Sequence, residues 1–142
     1  DKYCAGVFCG VSDGNVIGHN LIEQMPHHAI NLGSSGYGRN VVEYNETRHT
    51  CLETYDNGAI NSWMEDPQDH TQRDAERSGH VIRHNLIADT RGCVGPDLAP
   101  GGHAVGVYLD NFTSNCFLYG NVIVRSGGGR RDLGEWRQEQ RH

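Results

Sequence analysis

Carboxylates beside an indole are the most chemically pointed feature of this 142-residue chain. Asp56, Trp63, Glu65 and Asp66 fall in one short stretch, and Asp110 falls in a second. An indole offers a flat apolar face and carboxylates offer acceptors, a combination that suits a sugar. Two carboxyl groups flanking a glycosidic bond can cleave it. One protonates the leaving oxygen, and the other attacks or activates water. Asp110, Asp66 and Asp56 are therefore the candidate catalytic acids. Trp63, Glu65, His103, Arg48, His49 and Tyr108 are the candidate substrate contacts. Each also has a plainer reading: loop acids are usually solvated surface, and Trp63 could simply pack its loop.

The elements that would position these residues are a repeat. Four segments align without gaps: Asn15-Val-Ile-Gly-His-Asn20, Asn40-Val-Val-Glu-Tyr-Asn45, His80-Val-Ile-Arg-His-Asn85 and Cys116-Phe-Leu-Tyr-Gly-Asn121. Three continue with an apolar pair, Leu21-Ile22, Leu86-Ile87 and Val122-Ile123. A second block recurs as Ala29-Ile-Asn-Leu32, Ala59-Ile-Asn-Ser62 and Gly106-Val-Tyr-Leu-Asp110. Short β-branched runs bounded by Gly and Asn are strand signals. Such strands are too short to bury a core alone, so copies must stack at about 4.8 Å. A recurring Asn would then stack on its equivalent, because its amide both donates and accepts. It would also suit a tight left-handed corner. The expected fold is all-β: a right-handed parallel β-helix of about four to five turns. The expected domain is single, residues 1–142, with a polar tail at 128–142. The Asp1 start and the charged end read as a segment of a longer or processed protein.

The closing Asn residues at 20, 45, 85 and 121 leave spacings of 25, 40 and 36. The two longer spacings predict two insertions, at residues 46–78 and 88–103. Loops on a rigid repeat carry function more often than the scaffold does. In register, Ile30, Ile60 and Val107 form one inward column, and Leu32, Ser62 and Leu109 form the next. The position after holds Gly33, Trp63 and Asp110, which makes Trp63 and Asp110 stacked neighbours. With adjacent strands about 4.8 Å apart, Asp66 or Asp56 against Asp110 suits either stereochemical class of hydrolysis.

The N-x-I-x-x-N-x-I cadence over residues 14–127 resembles the right-handed parallel β-helix repeat family, the pectate-lyase-like superfamily. The strings Asp56-Asn-Gly-Ala-Ile-Asn-Ser-Trp-Met-Glu-Asp66 and Gly106-Val-Tyr-Leu-Asp-Asn111 look like those of carbohydrate-active β-helix hydrolases of the fucosidase and xylanase type. They depart from that pattern at Asn57, Asn61 and Asn111. The resemblance implies acid catalysis at these places, a poly- or oligosaccharide substrate, and an extracellular or periplasmic setting.

Composition narrows the alternatives. The net charge is −6 and Lys2 is the single lysine, so no basic patch exists for nucleic acid. No apolar run is long enough to span a membrane as a helix. Gly at 19 residues, with Asn between the apolar blocks, excludes a helical bundle. Five cysteines without a CxxC pair read first as core residues. His80 and His84 have zinc-helix spacing, but four residues of strand span about 13 Å, too far for one metal. No cofactor is expected, and Ca²⁺ is only weakly suggested by the Asp and Asn content. A polysaccharide lyase on the same fold is the second possibility. It would need Arg48, His49, Arg83 or His84 against a uronate, which an acidic loop repels. A non-catalytic stalk or glycan-binding module is the third. Oligomeric state is left open.

Overall fold

The computed structural model describes residues 4–10, 12–33, 38–64, 79–94, 99–100, 103–111 and 113–127. Every regular element among them is a strand. Three four-stranded sheets account for twelve of these. The first holds β1 (Ala5–Phe8), β4 (His28–Asn31), β7 (Asn57–Met64) and β12 (Ala104–Asn111). The second holds β2 (Val16–Gly18), β5 (Val41–Glu43), β8 (Val81–Arg83) and β13 (Phe117–Tyr119). The third holds β3 (Leu21–Glu23), β6 (Glu46–Thr50), β9 (Leu86–Thr90) and β14 (Val122–Val124). All pairings within the three sheets are parallel. A small antiparallel pair, β10 (Cys93–Val94) with β11 (Ala99–Pro100), precedes β12. Parallel strands stacked in three sheets are consistent with a β-helix.

The repeat explains this arrangement residue by residue. Ile17, Val42, Ile82 and Leu118 stand in register across the second sheet. Ile22, Thr47, Ile87 and Ile123 do so across the third. The second member of each apolar pair therefore faces inward, while Val16 and Leu21 stay exposed. Fully burying one such Ile contributes about 2–3 kcal/mol. The Asn45 repeat has Glu46-Thr47 in place of an apolar pair, and Thr47 takes the inward position, fully buried. Leu118 and Ile123 are 45% and 50% exposed, whereas Ile82 and Ile87 are 0% exposed, because no described strand covers β13 and β14.

The closing asparagines form a ladder. Asn20 Nδ2 donates to Asn45 Oδ1 at 2.9 Å, Asn45 Nδ2 to Asn85 Oδ1 at 3.1 Å, and Asn85 Nδ2 to Asn121 Oδ1 at 2.9 Å. Each upper backbone N–H shares the same acceptor. The left-handed corner falls one residue earlier than expected. His19, Tyr44, His84 and Gly120 carry φ of 59°, 53°, 54° and 66°. Their rings stack outside the corner, His19 on Tyr44 at 5.1 Å and Tyr44 on His84 at 5.2 Å. Gly120 ends the column: a Cβ there would lie 2.4 Å from His84 Nδ1.

Two sequence boundaries shift. Residues 46–50 and 88–90, assigned above to insertions, belong to strands β6 and β9. Residues 65–78, 95–98 and the 128–142 tail lie outside the described residues. The five cysteines are unbridged thiols, with Cys51 and Cys93 buried. Burial pushes the Cys51 thiol up to about 12.

Candidate functional site

The first sheet positions the site. Ile30 pairs with Ile60 and Val107 with Ile60, as the aligned blocks require. Leu109 pairs with Ser62, and Asp110 stands opposite Trp63. A cleft of about 530 Å³ opens along this sheet. It is lined by His27, His28, Glu53, Thr54, Tyr55, Asp56, Asn61, Trp63, Cys93 and Asp110.

Asp56 reaches the cleft from a corner. Its backbone is left-handed, with φ of 57°, immediately before β7 begins. The corner is pinned by its neighbour: Asn57 Nδ2 donates to Thr54 Oγ1 at 2.6 Å, and Asn57 N donates to the His103 carbonyl at 3.1 Å. Thr54 in turn donates to the Pro26 carbonyl at 3.2 Å. Asp and Asn tolerate left-handed backbone better than other L-residues, which suits Asp56 here and Asn111 (φ 50°) at the end of β12.

Two hydrogen bonds fix the carboxylates. Tyr108 Oη donates to Asp56 Oδ1 at 2.9 Å. The Asn111 backbone N–H donates to Asp110 Oδ1 at 2.8 Å. The bond to Asp56 chiefly pushes the Tyr108 phenol up to about 12, with the Asp110 charge adding to it. The His103 ring meets Tyr108 edge-on at 5.3 Å.

Asp56, Asp110 and Trp63 therefore meet at one cleft, with Tyr108 and His103 beside it. Arg48 and His49 do not line it. Arg48 lies on β6 in the third sheet and pairs with Glu46. His49 occupies a left-handed position on the same strand (φ 51°). Glu65 and Asp66 lie outside the described residues. Arg83 binds Glu43 and Tyr119 on the second sheet, and Arg125 binds Asp89 on the third. No arginine or lysine is among the described lining residues. Among the described residues, no three His, Cys, Asp or Glu side chains converge to hold a metal ion.

The sequence reading missed His28 and Asn61 as cleft residues, and it gave Glu53, Tyr55 and Cys93 no role. The Ala-Ile-Asn alignment held the signal for His28. It sets Ala29 beside Ala59, and so His28 beside Gly58. His28 Nδ1 lies 2.9 Å from the Gly58 carbonyl. The His27 and His28 rings touch, with centroids 3.6 Å apart. Burial lowers the pKa of His27 to about 4 and lowers that of His28.

No family model matches the sequence, and no curated protein or solved structure is significantly similar to it. Among the described residues, the cleft lining holds three carboxylates, an indole, a phenol and two imidazoles kept neutral by burial.

Proposed function

We propose that this chain is a segment of a right-handed parallel β-helix of the pectate-lyase-like kind, about four to five turns long, and that it hydrolyses a glycosidic bond in a poly- or oligosaccharide. The observation that carries this reading is the meeting of Asp56 and Asp110 at one cleft beside Trp63. Glycoside hydrolysis needs two carboxyl groups on either side of the bond. Trp63 supplies an apolar platform for a sugar ring. Asp56, with Oδ1 held by the Tyr108 hydroxyl, supplies one of the two carboxyl groups. Asp110, oriented by the Asn111 N–H, attacks or activates water. Asp66 and Glu65, which follow Trp63 closely in the sequence, remain candidates of the same reading. An extracellular or periplasmic setting, where polymeric glycans occur, belongs to this reading.

The described lining is acidic and holds no Lys or Arg, which favours hydrolysis over lyase chemistry, since a lyase must neutralise a uronate carboxylate. The test is incubation with a panel of neutral and uronate polysaccharides, following reducing ends and near-ultraviolet absorbance together. Reducing ends without new absorbance are expected. Unsaturated, absorbing products would replace this reading with a lyase, and silence across the panel would favour a non-catalytic module.

A further inference from the structure

We propose that His28 is the specificity-determining acceptor of this cleft: its Nε2 lone pair takes a hydrogen bond from a hydroxyl or ammonium of the sugar, so that the site selects neutral or cationic glycans and rejects polyuronates. The inference rests on the glycan reading above and adds the class of sugar.

Three observations support it. First, the tautomer is fixed by geometry. A carbonyl can only accept, so the 2.9 Å contact to Gly58 O requires the proton on Nδ1. Nε2 is then left as an acceptor. Second, His28 is 5% exposed and lines the cleft, yet Nε2 has no partner among the described residues. Nε2 is not closed off from water, so a ligand donor can take the place of a solvent one. Third, the charged side chains among the described lining residues have one sign: Glu53, Asp56 and Asp110 line the same cleft, and no described Lys or Arg does. Burial keeps His27 and His28 neutral at pH 7, so neither offsets those charges. A sugar hydroxyl or ammonium can donate to Nε2. A uronate offers the same hydroxyls, but its carboxylate is repelled by the three lining carboxylates.

The test is long-range ¹⁵N–¹H correlation NMR of the wild-type imidazoles at pH 7, with added hexasaccharides. The probes are neutral hexaoses of glucose, xylose, mannose and galactose, a glucosamine hexaose, and hexagalacturonate. Before addition, His28 is expected as the Nδ1–H tautomer with an unprotonated Nε2. At least one neutral or glucosamine probe is expected to shift the Nε2 resonance, and hexagalacturonate is expected to leave it unmoved. A protonated Nε2 in the free protein overturns the proposal. So does a His28 response to hexagalacturonate, or no response to any probe. A His28→Leu variant, which has no side-chain acceptor, should bind the responding probe at least tenfold more weakly. The two readings fail separately. Shifts at His28 without any sugar release would refute hydrolysis alone, whereas release from a polyuronate would refute the His28 assignment alone.

Discussion

Tyr108 Oη donates to Asp56 Oδ1 at 2.9 Å and thereby ties the middle of β12 to the corner that opens β7. This exposed bond joins Asp56, which lines the cleft, to Tyr108. It raises the Tyr108 phenol to about 12. In Asp56→Asn the phenol should titrate closer to its ordinary value near 10, read by ultraviolet difference titration. An unchanged high value would place the cause elsewhere. The bond is exposed, so Tyr108→Phe should cost no more than about 1 kcal/mol of stability.

Interior polar groups predict a larger effect. Asn45 accepts from Asn20 through both its backbone and side-chain N–H, and donates to Asn85 Oδ1 and the Ile17 carbonyl. Asn45→Ala strands these partners together. With about 1–3 kcal/mol for each buried group left unmatched, urea unfolding should show a loss of about 3 kcal/mol or more. Asn20 is exposed and ends the ladder, so Asn20→Ala should cost about 1 kcal/mol.

Acid should weaken the fold through the buried imidazoles. His80 is 2% exposed, and burial lowers its pKa to about 4, as it does for His27. The folded value lies below the unfolded 6.5, so the unfolded state binds more protons between these values. Stability is thus full above pH 6.5 and falls as pH drops toward 4, by up to about 1.4 kcal/mol per pH unit for each histidine. His80 occupies the register position of Asn40 and Asn15, since β8 pairs with β5 and β5 with β2. His80→Asn should therefore keep the fold and flatten this acid limb in denaturation curves taken from pH 7 to 4. An unaltered limb would assign the sensitivity to other groups.

Glycines with the same backbone should respond differently. Gly14 and Gly33 both have φ of 68°. A Cβ at Gly14 meets nothing within 4 Å, while one at Gly33 meets the backbone of Cys9 and Gly10 at 2.4–2.6 Å. Gly14→Ala should cost only the left-handed strain, about 1 kcal/mol. Gly33→Ala must also push β1 away from β4, and its thermal midpoint should drop several times further.

Much of the scaffold was legible because inward packing writes itself into the sequence. Ile30, Ile60 and Val107 share a column for the same reason that they align, and that register carries Asp110 to Trp63. The asparagine ladder was legible because one side chain type can bond its own copy. The corner was misplaced by one residue, since the recurring Asn drew the assignment while the residue before it varies between His19, Tyr44, His84 and Gly120. Arg48 and His49 were drawn toward the cleft by their place at the start of a long spacing. Pairing with β3 and β9 holds that segment in the third sheet instead. His28 was overlooked because its role comes from the Gly58 carbonyl on the next strand, and no side chain reports that contact.

The most direct measurement of the central claim is reducing-end release by wild type, Asp110→Asn and Asp56→Asn on the most responsive polysaccharide of the panel, with far-ultraviolet circular dichroism as the folding control. The account predicts that each substitution lowers the rate by at least a hundredfold while the β signal is retained. Full activity in Asp110→Asn, with the fold intact, would contradict it.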